Sequence, residues 1–374
     1  MRHFAGQSKY VILLLLILLT CQFVFSQDWP IFRGNRQLTG TTLHALPEKP
    51  QLLFSVVTGD DVKASPVVAG NTVYCGSTDG KMYAIGFDGK LKWSFVSGNA
   101  IEAPALILNG SVFFGSLDGW FFRLDAQTGK QIWKYKTDNQ INGSANWYVH
   151  GRQTILMIGS YDYYLHGVGF DKGDSLWQYE SDNYINGAPA LYGKYAVFGG
   201  CDGYMHLVDA LSGKLLRKIN LGTYVASSPV IDGNRAYVGD YEGRFFGVDL
   251  DAGKVVWTYD DPQKNLPFIA SPALSGDLIV IGNEDRNLYC LNKNTGKVVW
   301  QARLSNRIDA SSVIVSGKVV TATMDGMLYL HDLKTGKELW RYEIGSPVTG
   351  SPAVADGKIV VGANDGRIYV FGAK

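Results

Sequence analysis

One unit of sequence returns eight times along this chain, and a repeat of that period leaves few folds open. Its clearest copy reads Ser227-Ser228-Pro229-Val230, then Tyr237-Val238-Gly239, Glu242-Gly243, Phe245-Phe246-Gly247-Val248-Asp249 and Gly253-Lys254-Val255-Val256-Trp257. The proline position is held by Pro66, Pro104, Ala145, Pro189, Pro229, Pro272, Ser312 and Pro352, at steps of 38, 41, 44, 40, 43, 40 and 40 residues. Within each copy, short runs rich in Val, Ile, Tyr and Phe alternate with turns such as Asp79-Gly80, Thr128-Gly129-Lys130 and Asp232-Gly233-Asn234. That punctuation predicts four short antiparallel strands per repeat. No segment sustains an apolar period of roughly 3.6 residues, so helices should be nearly absent. The expected fold is all-β, an eight-bladed β-propeller of four-stranded antiparallel blades.

The turn before each fourth strand carries Gly89, Gly129, Gly173, Gly213, Gly253, Gly296 and Gly336; four residues later stand Trp93, Trp133, Trp177, Arg217, Trp257, Trp300 and Trp340. Six of the nine tryptophans thus serve the repeat, which points to packing between adjacent blades rather than to a ligand site. Arg217 breaks the pattern and predicts either a looser seam or, with Lys214 and Lys218, a local basic rim for a partner. The eighth repeat lacks its Gly-Lys-x-x-Trp hairpin, whereas Gln51 to Val56 precedes the first proline position and Phe54 lies 39 residues before Trp93. This N-terminal strand is expected to complete the last blade and close the ring, removing open sheet edges.

The first residues have an export pattern: Arg2 and Lys9 supply charge, Val11 to Leu19 form a short apolar core, and Val24-Phe25-Ser26 offers a cleavage site. The expected organisation is a signal peptide over 1–26, an N-terminal extension over 27–49 and a single propeller over 50–374. Leu18-Leu19-Thr20-Cys21 resembles a bacterial lipobox, which leaves a lipid anchor at Cys21 open beside ordinary cleavage. The chain is thus expected to be exported, to the periplasm or the exterior, or held as an outer-membrane lipoprotein. Removing residues 1–26 leaves 33 basic against 34 acidic residues, a balance unsuited to nucleic acid. Cys75, Cys201 and Cys290 are odd in number and fall in different repeats, so they read as buried thiols without a disulfide framework.

Neither Gly-His nor Trp-Asp occurs, which excludes the WD40 repeat, and the period is short of the kelch repeat. The unit Asp-Gly-x-hydrophobic-Tyr-x-hydrophobic-Asp-x-x-Thr-Gly-Lys-x-x-Trp, spanning Asp325 to Trp340, closely resembles the repeat of pyrroloquinoline-quinone (PQQ)-dependent dehydrogenases and of the BamB outer-membrane assembly lipoproteins. The resemblance covers about residues 50–374. Asp28 to Asn35 also looks like the opening of many secreted bacterial propellers of this superfamily, which implies a bacterial envelope protein.

The dehydrogenase side of the resemblance implies a quinone over a bound calcium, an acidic base and commonly a disulfide between adjacent cysteines. This chain has no Cys-Cys pair, and its repeats stay too short for the insertions that build the enzymes' funnels. The in-register acids Asp79, Asp118, Asp162, Asp202, Glu242, Asp285, Asp325 and Asp365 are expected to accept backbone N–H groups in tight turns; spread one per blade, they cannot converge on one ion. The six histidines show no metal-binding spacing, and no nucleophile elbow occurs. No cofactor or metal is expected, PQQ with calcium belonging only to the alternative reading of a PQQ-dependent dehydrogenase.

Function should therefore lie where the repeats differ, in loops at one mouth of the channel. Three residues before the proline positions stand Lys63, Ile101, Asn142, Asn186, Ala226, Ile269, Asp309 and Thr349, with Glu102 one further along. The near-duplicate loops Asp138 to Gly143 and Asp182 to Gly187 either line a polar pocket or merely satisfy turn geometry. The candidate binding residues are Lys63, Glu102, Asn142, Asn186 and Asp309, with Lys63 and Asp309 as charged anchors. The function expected is a non-catalytic, BamB-like envelope scaffold or binding module for a protein partner or small ligand, with a carbohydrate or peptide receptor as a third option.

Overall fold

The computed structural model describes residues 28–374; the expected signal segment and Cys21 lie outside them. Every regular element among the described residues is a strand, and no helix is long and apolar enough to cross a membrane. Eight antiparallel four-stranded sheets follow one another around a central axis. Blade 1 shows the plan from the axis outward: Val67–Ala69, Thr72–Gly76, Lys81–Gly86 and Leu91–Val96.

Burial explains the sequence pattern of each strand. The second and third strands are covered on both faces by neighbouring blades, so they read as nearly continuous apolar runs such as Leu278–Gly282. The outermost strands alternate half-buried and exposed residues, as in Ser175–Glu180 and Glu338–Glu343.

The ring closes as the sequence predicts. Gln51–Val57 pairs antiparallel with Arg367–Gly372, setting Leu52 opposite Phe371 and Val56 opposite Ile368. Thr58 N donates to Gly366 O at 2.7 Å just beyond the ladder. The last blade therefore draws its outer strand from the start of the ring, and Arg367–Gly372 is paired on both sides.

Tryptophan ties each blade to the next. The Trp93 indole donates to Ala126 O at 3.0 Å, Trp133 to Phe170 O at 2.9 Å, Trp257 to Lys293 O at 2.8 Å and Trp300 to Leu333 O at 2.8 Å. Each ring lies against the turn glycine of the following blade; a Cβ on Gly129 would fall 2.6 Å from Trp93, and Phe54 meets Gly89 in the same way. Arg217 keeps this arrangement rather than loosening it. Its guanidinium covers Gly253 and donates to Leu250 O at 3.3 Å and Asp251 O at 2.6 Å, reproducing the indole bond with a charged donor.

The recurring acids hold turns. Asp79, Asp162, Asp202, Asp285 and Asp365 each accept the backbone N–H two residues on, and also Tyr83 OH, His166 Nε2, His206 Nε2, Tyr289 OH or Tyr369 OH from four residues on. Blades 2, 5 and 7 depart from the expectation: Asp118 accepts Ser116 Oγ and Asp325 accepts Thr323 Oγ1, while in blade 5 Asp240, not Glu242, accepts Glu242 N and Arg244 N and pairs with Arg244 Nε at 2.7 Å. Of the cysteines, Cys75 and Cys290 are buried free thiols, whereas Cys201 is only half-buried.

The segment ahead of the ring occupies the channel. Trp29 bridges Val68 in blade 1, and Ile107 N donates to Pro30 O in blade 2. Asn146 Nδ2 and Leu191 N share Arg36 O, and Ile231 N, Leu274 N and Ile314 N donate to Gln37 O, Thr39 O and Gly40 O. Thr41–Thr42 finally lies parallel to Val313–Val315 in blade 7. Residues 29–42 thus supply acceptors to inner strands of seven consecutive blades, amides that would otherwise line a channel unpaired.

Candidate site at the channel mouth

The loop that enters each inner strand first drives an apolar residue under the ring and then turns the next residue toward the axis. Val62, Ile101, Ile141, Ile185, Val225, Phe268, Ile308 and Val348 are the buried members. Seven of them fill the space above a glycine at the end of a neighbouring second strand; a Cβ on Gly76 would lie 2.3 Å from Ile101. The following residues therefore form the mouth: Lys63, Glu102, Asn142, Asn186, Ala226, Ile269, Asp309 and Thr349. Counting back from proline places Ile101 in this set, but its loop is one residue shorter and Glu102 takes the position.

Glu102, Asn142, Asn186, Ala226, Ile269 and Thr349 line one axial cavity of about 190 Å³. Lys63 joins the group through a 3.2 Å ion pair with Glu102. Asp309 shares the repeat position without lining the cavity, and pairs with Arg307 at 3.2 Å; Glu284 lies 3.9 Å from that same Arg307. Burial first, and Glu284 second, raise the Asp309 carboxyl to about 6 against the pull of Arg307, and its Oδ1 has no hydrogen-bond partner.

On the opposite side of the mouth, Tyr161 OH donates to Asn186 Oδ1 at 2.9 Å, and Asn186 Nδ2 reaches Ala226 O at 3.4 Å. Asn142 Oδ1 is buried without a partner. Their neighbours Gly143 and Gly187 have no left-handed backbone; a Cβ on Gly143 would meet Gly187 O at 2.8 Å, and one on Gly187 would meet Ser227 O at 3.0 Å. Close approach of adjacent blades, not turn geometry, demands glycine here.

Sequence reasoning missed the tyrosines. Tyr161 stacks on Tyr184 at 4.6 Å, and Tyr163 leans on Tyr184 at 5.2 Å. Tyr241 N is bonded to Tyr224 O, continuing the same rim into blade 5. Tyr163, Tyr184, Tyr224 and Tyr241 keep 41, 38, 55 and 46% of their surface exposed. Tyr163 is also strained, with φ of +77° at a position that Gly80, Gly119, Gly203, Gly243, Gly326 and Gly366 hold in six other blades and Arg286, at +72°, in blade 6. The available signal was this departure: an aromatic residue where the repeat writes glycine.

The floor of the cavity is equally absent from the sequence reading. Phe32 reaches it from below, beside Ser65, Ser228, Ser271, Ser311 and Ser351. Arg33, 1% exposed, lies behind this layer and donates to Ser311 O, Pro272 O and Ser312 O at 3.2, 3.0 and 2.6 Å. Among the described residues, no three His, Cys, Asp or Glu side chains are grouped so as to hold a metal.

The family described as outer membrane protein assembly factor BamB matches residues 36–182, 162–314 and 284–374. No match is found among curated proteins. BamB from Moraxella catarrhalis superposes with a TM-score of 0.72 at 16% identity, covering 87% of this chain and 100% of that one. A europium-containing methanol dehydrogenase gives 0.79 at 14% identity over 93% and 98% of the two chains. Quinohemoprotein alcohol dehydrogenase from Comamonas testosteroni gives 0.77 at 14% identity over 92% and 80%. At such identities the structural likenesses speak for the fold alone, whereas the three overlapping matches span nearly the whole described ring: the chain belongs to the BamB-like family of PQQ-type repeat β-propellers.

Proposed function

We propose that this protein is a non-catalytic envelope binding or scaffolding propeller, and that its working surface is the tyrosine-rich channel mouth of blades 3 to 5. The observation that carries the reading is Tyr163, held in a left-handed conformation that disfavours it while its ring stays on the exposed rim. Strained residues cluster at binding and active sites, so an exposed aromatic held this way points to function. Partly exposed tyrosines beside polar amides are also the residue mix that protein interfaces favour.

The dehydrogenase alternative requires a quinone over calcium, and on our reading the mouth does not fit that pair. A cavity of about 190 Å³ is below the roughly 300 to 1,000 Å³ of ligand-enclosing pockets. The carboxylates of the mouth do not converge either: Glu102 lines the cavity engaged by Lys63, and Asp309 lies outside it engaged by Arg307. The envelope location rests on family membership and on the export pattern of residues 1–26.

The test is a titration of the purified protein with PQQ and calcium, followed by absorbance and thermal shift, beside photo-crosslinking from position 224. No cofactor-induced shift, with a discrete envelope-protein adduct from position 224 and none from an outer-strand position such as 339, is expected. Saturable cofactor binding with a shift of several degrees would return the dehydrogenase.

A further inference from the structure

Six serines stand at the residue before the proline position; Ser144 donates to Ala145 O at 3.3 Å, and the other five, Ser65, Ser228, Ser271, Ser311 and Ser351, form an arc around the cavity floor. Ser351 N donates to Ser65 Oγ at 2.8 Å, Ser311 N to Ser351 Oγ at 3.0 Å, and Ser271 N to Ser311 Oγ at 2.8 Å. The arc continues with Ser228 N to Ser271 Oγ at 3.0 Å and Ala188 N to Ser228 Oγ at 2.8 Å. Each hydroxyl is used as an acceptor by the preceding blade, and none of the five donates to a protein group. A hydroxyl has one proton to give, so five consecutive blades, 5 to 8 and then 1, present unspent O–H donors to the same small space.

Directly behind the arc lies a cation without a counter-charge. Arg33 is bonded only to carbonyl oxygens, among them that of the arc residue Ser311; its Nε has no partner, and no carboxylate pairs with it. The guanidinium joins blades 6 and 7 through these carbonyls, yet its charge is left without an acid, and a buried guanidinium lacking one is costly. Both features are completed by the same kind of ligand: one that accepts several hydrogen bonds and carries negative charge.

We propose that the channel floor is a binding site for a compact oxyanion of phosphate or carboxylate type, held by the hydroxyls of Ser65, Ser228, Ser271, Ser311 and Ser351 and compensated by Arg33. The cavity admits only a small anion or the anionic end of a larger molecule. The site shares its cavity with Asn142, Asn186 and Glu102, the last paired with Lys63 at 3.2 Å, but uses none of the exposed tyrosines, so either assignment can fail without the other.

Calorimetric titration with sodium phosphate and, separately, sodium acetate, at constant ionic strength in chloride, tests it. One saturable site is expected, with a melting temperature about 4 °C higher at a hundredfold excess over Kd. Tighter binding of phosphate assigns a phosphate-type ligand, and tighter acetate a carboxylate. Ser311→Ala and Ser271→Ala should each weaken binding about tenfold, the scale of one hydrogen bond to a charged group, while Thr78→Ala at the outer rim leaves it unchanged. As these variants also remove an inter-blade acceptor, crystals of the unaltered protein grown with arsenate supply a second reading: anomalous density against Ser271, Ser311 and Ser351. No saturable binding of either anion, or arsenic located elsewhere, overturns the proposal.

Discussion

Replacing Trp257 by alanine should cost the ring about 3 to 5 kcal/mol, the usual range for deleting a large aromatic from a packed site. The indole is flanked by Tyr237 and Phe245 at centroid distances of 5.8 and 6.1 Å and donates to Lys293 O in the next blade. It also fills space that Gly247 and Gly296 leave open, where alanine would leave a void between two backbones. With an unfolding entropy of about 2.1 cal/mol/K per residue over some 350 residues, each kcal/mol moves the melting temperature by about 1.4 °C. The expected loss is therefore about 4 to 7 °C by differential scanning calorimetry at pH 7. At position 217 the same reasoning gives a smaller number, because the guanidinium contributes charge-assisted bonds rather than an aromatic volume. Arg217→Ala should lose about 1.5 to 3 kcal/mol, or about 2 to 4 °C, and Arg217→Trp should stay within about 2 °C of the parent. An Arg217→Ala protein melting within 1 °C of the parent would refute the claim that arginine staples this seam, and a rise well above 2 °C for Arg217→Trp would mean that the seam was loose after all.

Further outcomes follow from the mouth and the closure. The folded Asp309 carboxyl, raised to about 6, binds its proton more tightly than in the unfolded chain, so its contribution favours the fold at low pH and is lost as pH rises from about 4 through 6. His331 works against it in the same window: burial lowers its folded value to about 4, so the stability tied to its neutral form is lost as pH falls from about 6.5. Comparing Asp309→Asn with the parent by urea denaturation removes the His331 contribution and should show a gain of about 2 to 3 kcal/mol at pH 7.5 and almost none at pH 4; equal differences at both would refute the assignment. Tyr163→Gly relieves the left-handed strain, so it should melt within about 2 °C of the parent while abolishing the adduct from position 224; an intact adduct would remove Tyr163 from the surface. Deleting residues 50–58 exposes the Arg367–Gly372 edge and should leave no cooperative melt by circular dichroism; a compact, cooperatively melting product would contradict the closure.

The blades were legible because their chemistry repeats. A ring in an eightfold register multiplies every local signal: the glycine before the fourth strand, the tryptophan that lies on it and the acid that ties the turn each recur where the same neighbour recurs. Closure could be read from the same arithmetic, since Phe54 occupies the spacing of a tryptophan and meets Gly89 as Trp93 meets Gly129. Arg217 reads in the sequence as either a looser seam or a basic rim because its side chain breaks the pattern of residue type, while its donor geometry keeps the pattern of bonds.

The mouth and floor were less legible for the opposite reason: their parts come from outside the repeat. Loop position alone brought Glu102, Asn142 and Asn186 to one cavity, yet nothing in the spacing of Asp309 announces that Arg307 and Glu284 divide its charge. Phe32 and Arg33 precede the first blade and carry no periodicity, so only the three-dimensional path of residues 29–42 brings them to the axis. A serine before the proline position is visible in six repeats, but the role of the five in the arc depends on the neighbouring blade using each hydroxyl as an acceptor, a contact that no single repeat encodes. Symmetric positions in such a ring therefore report what holds the blades together, and the departures from symmetry, Tyr163 and Arg33 foremost, are where a ligand or partner has reason to act.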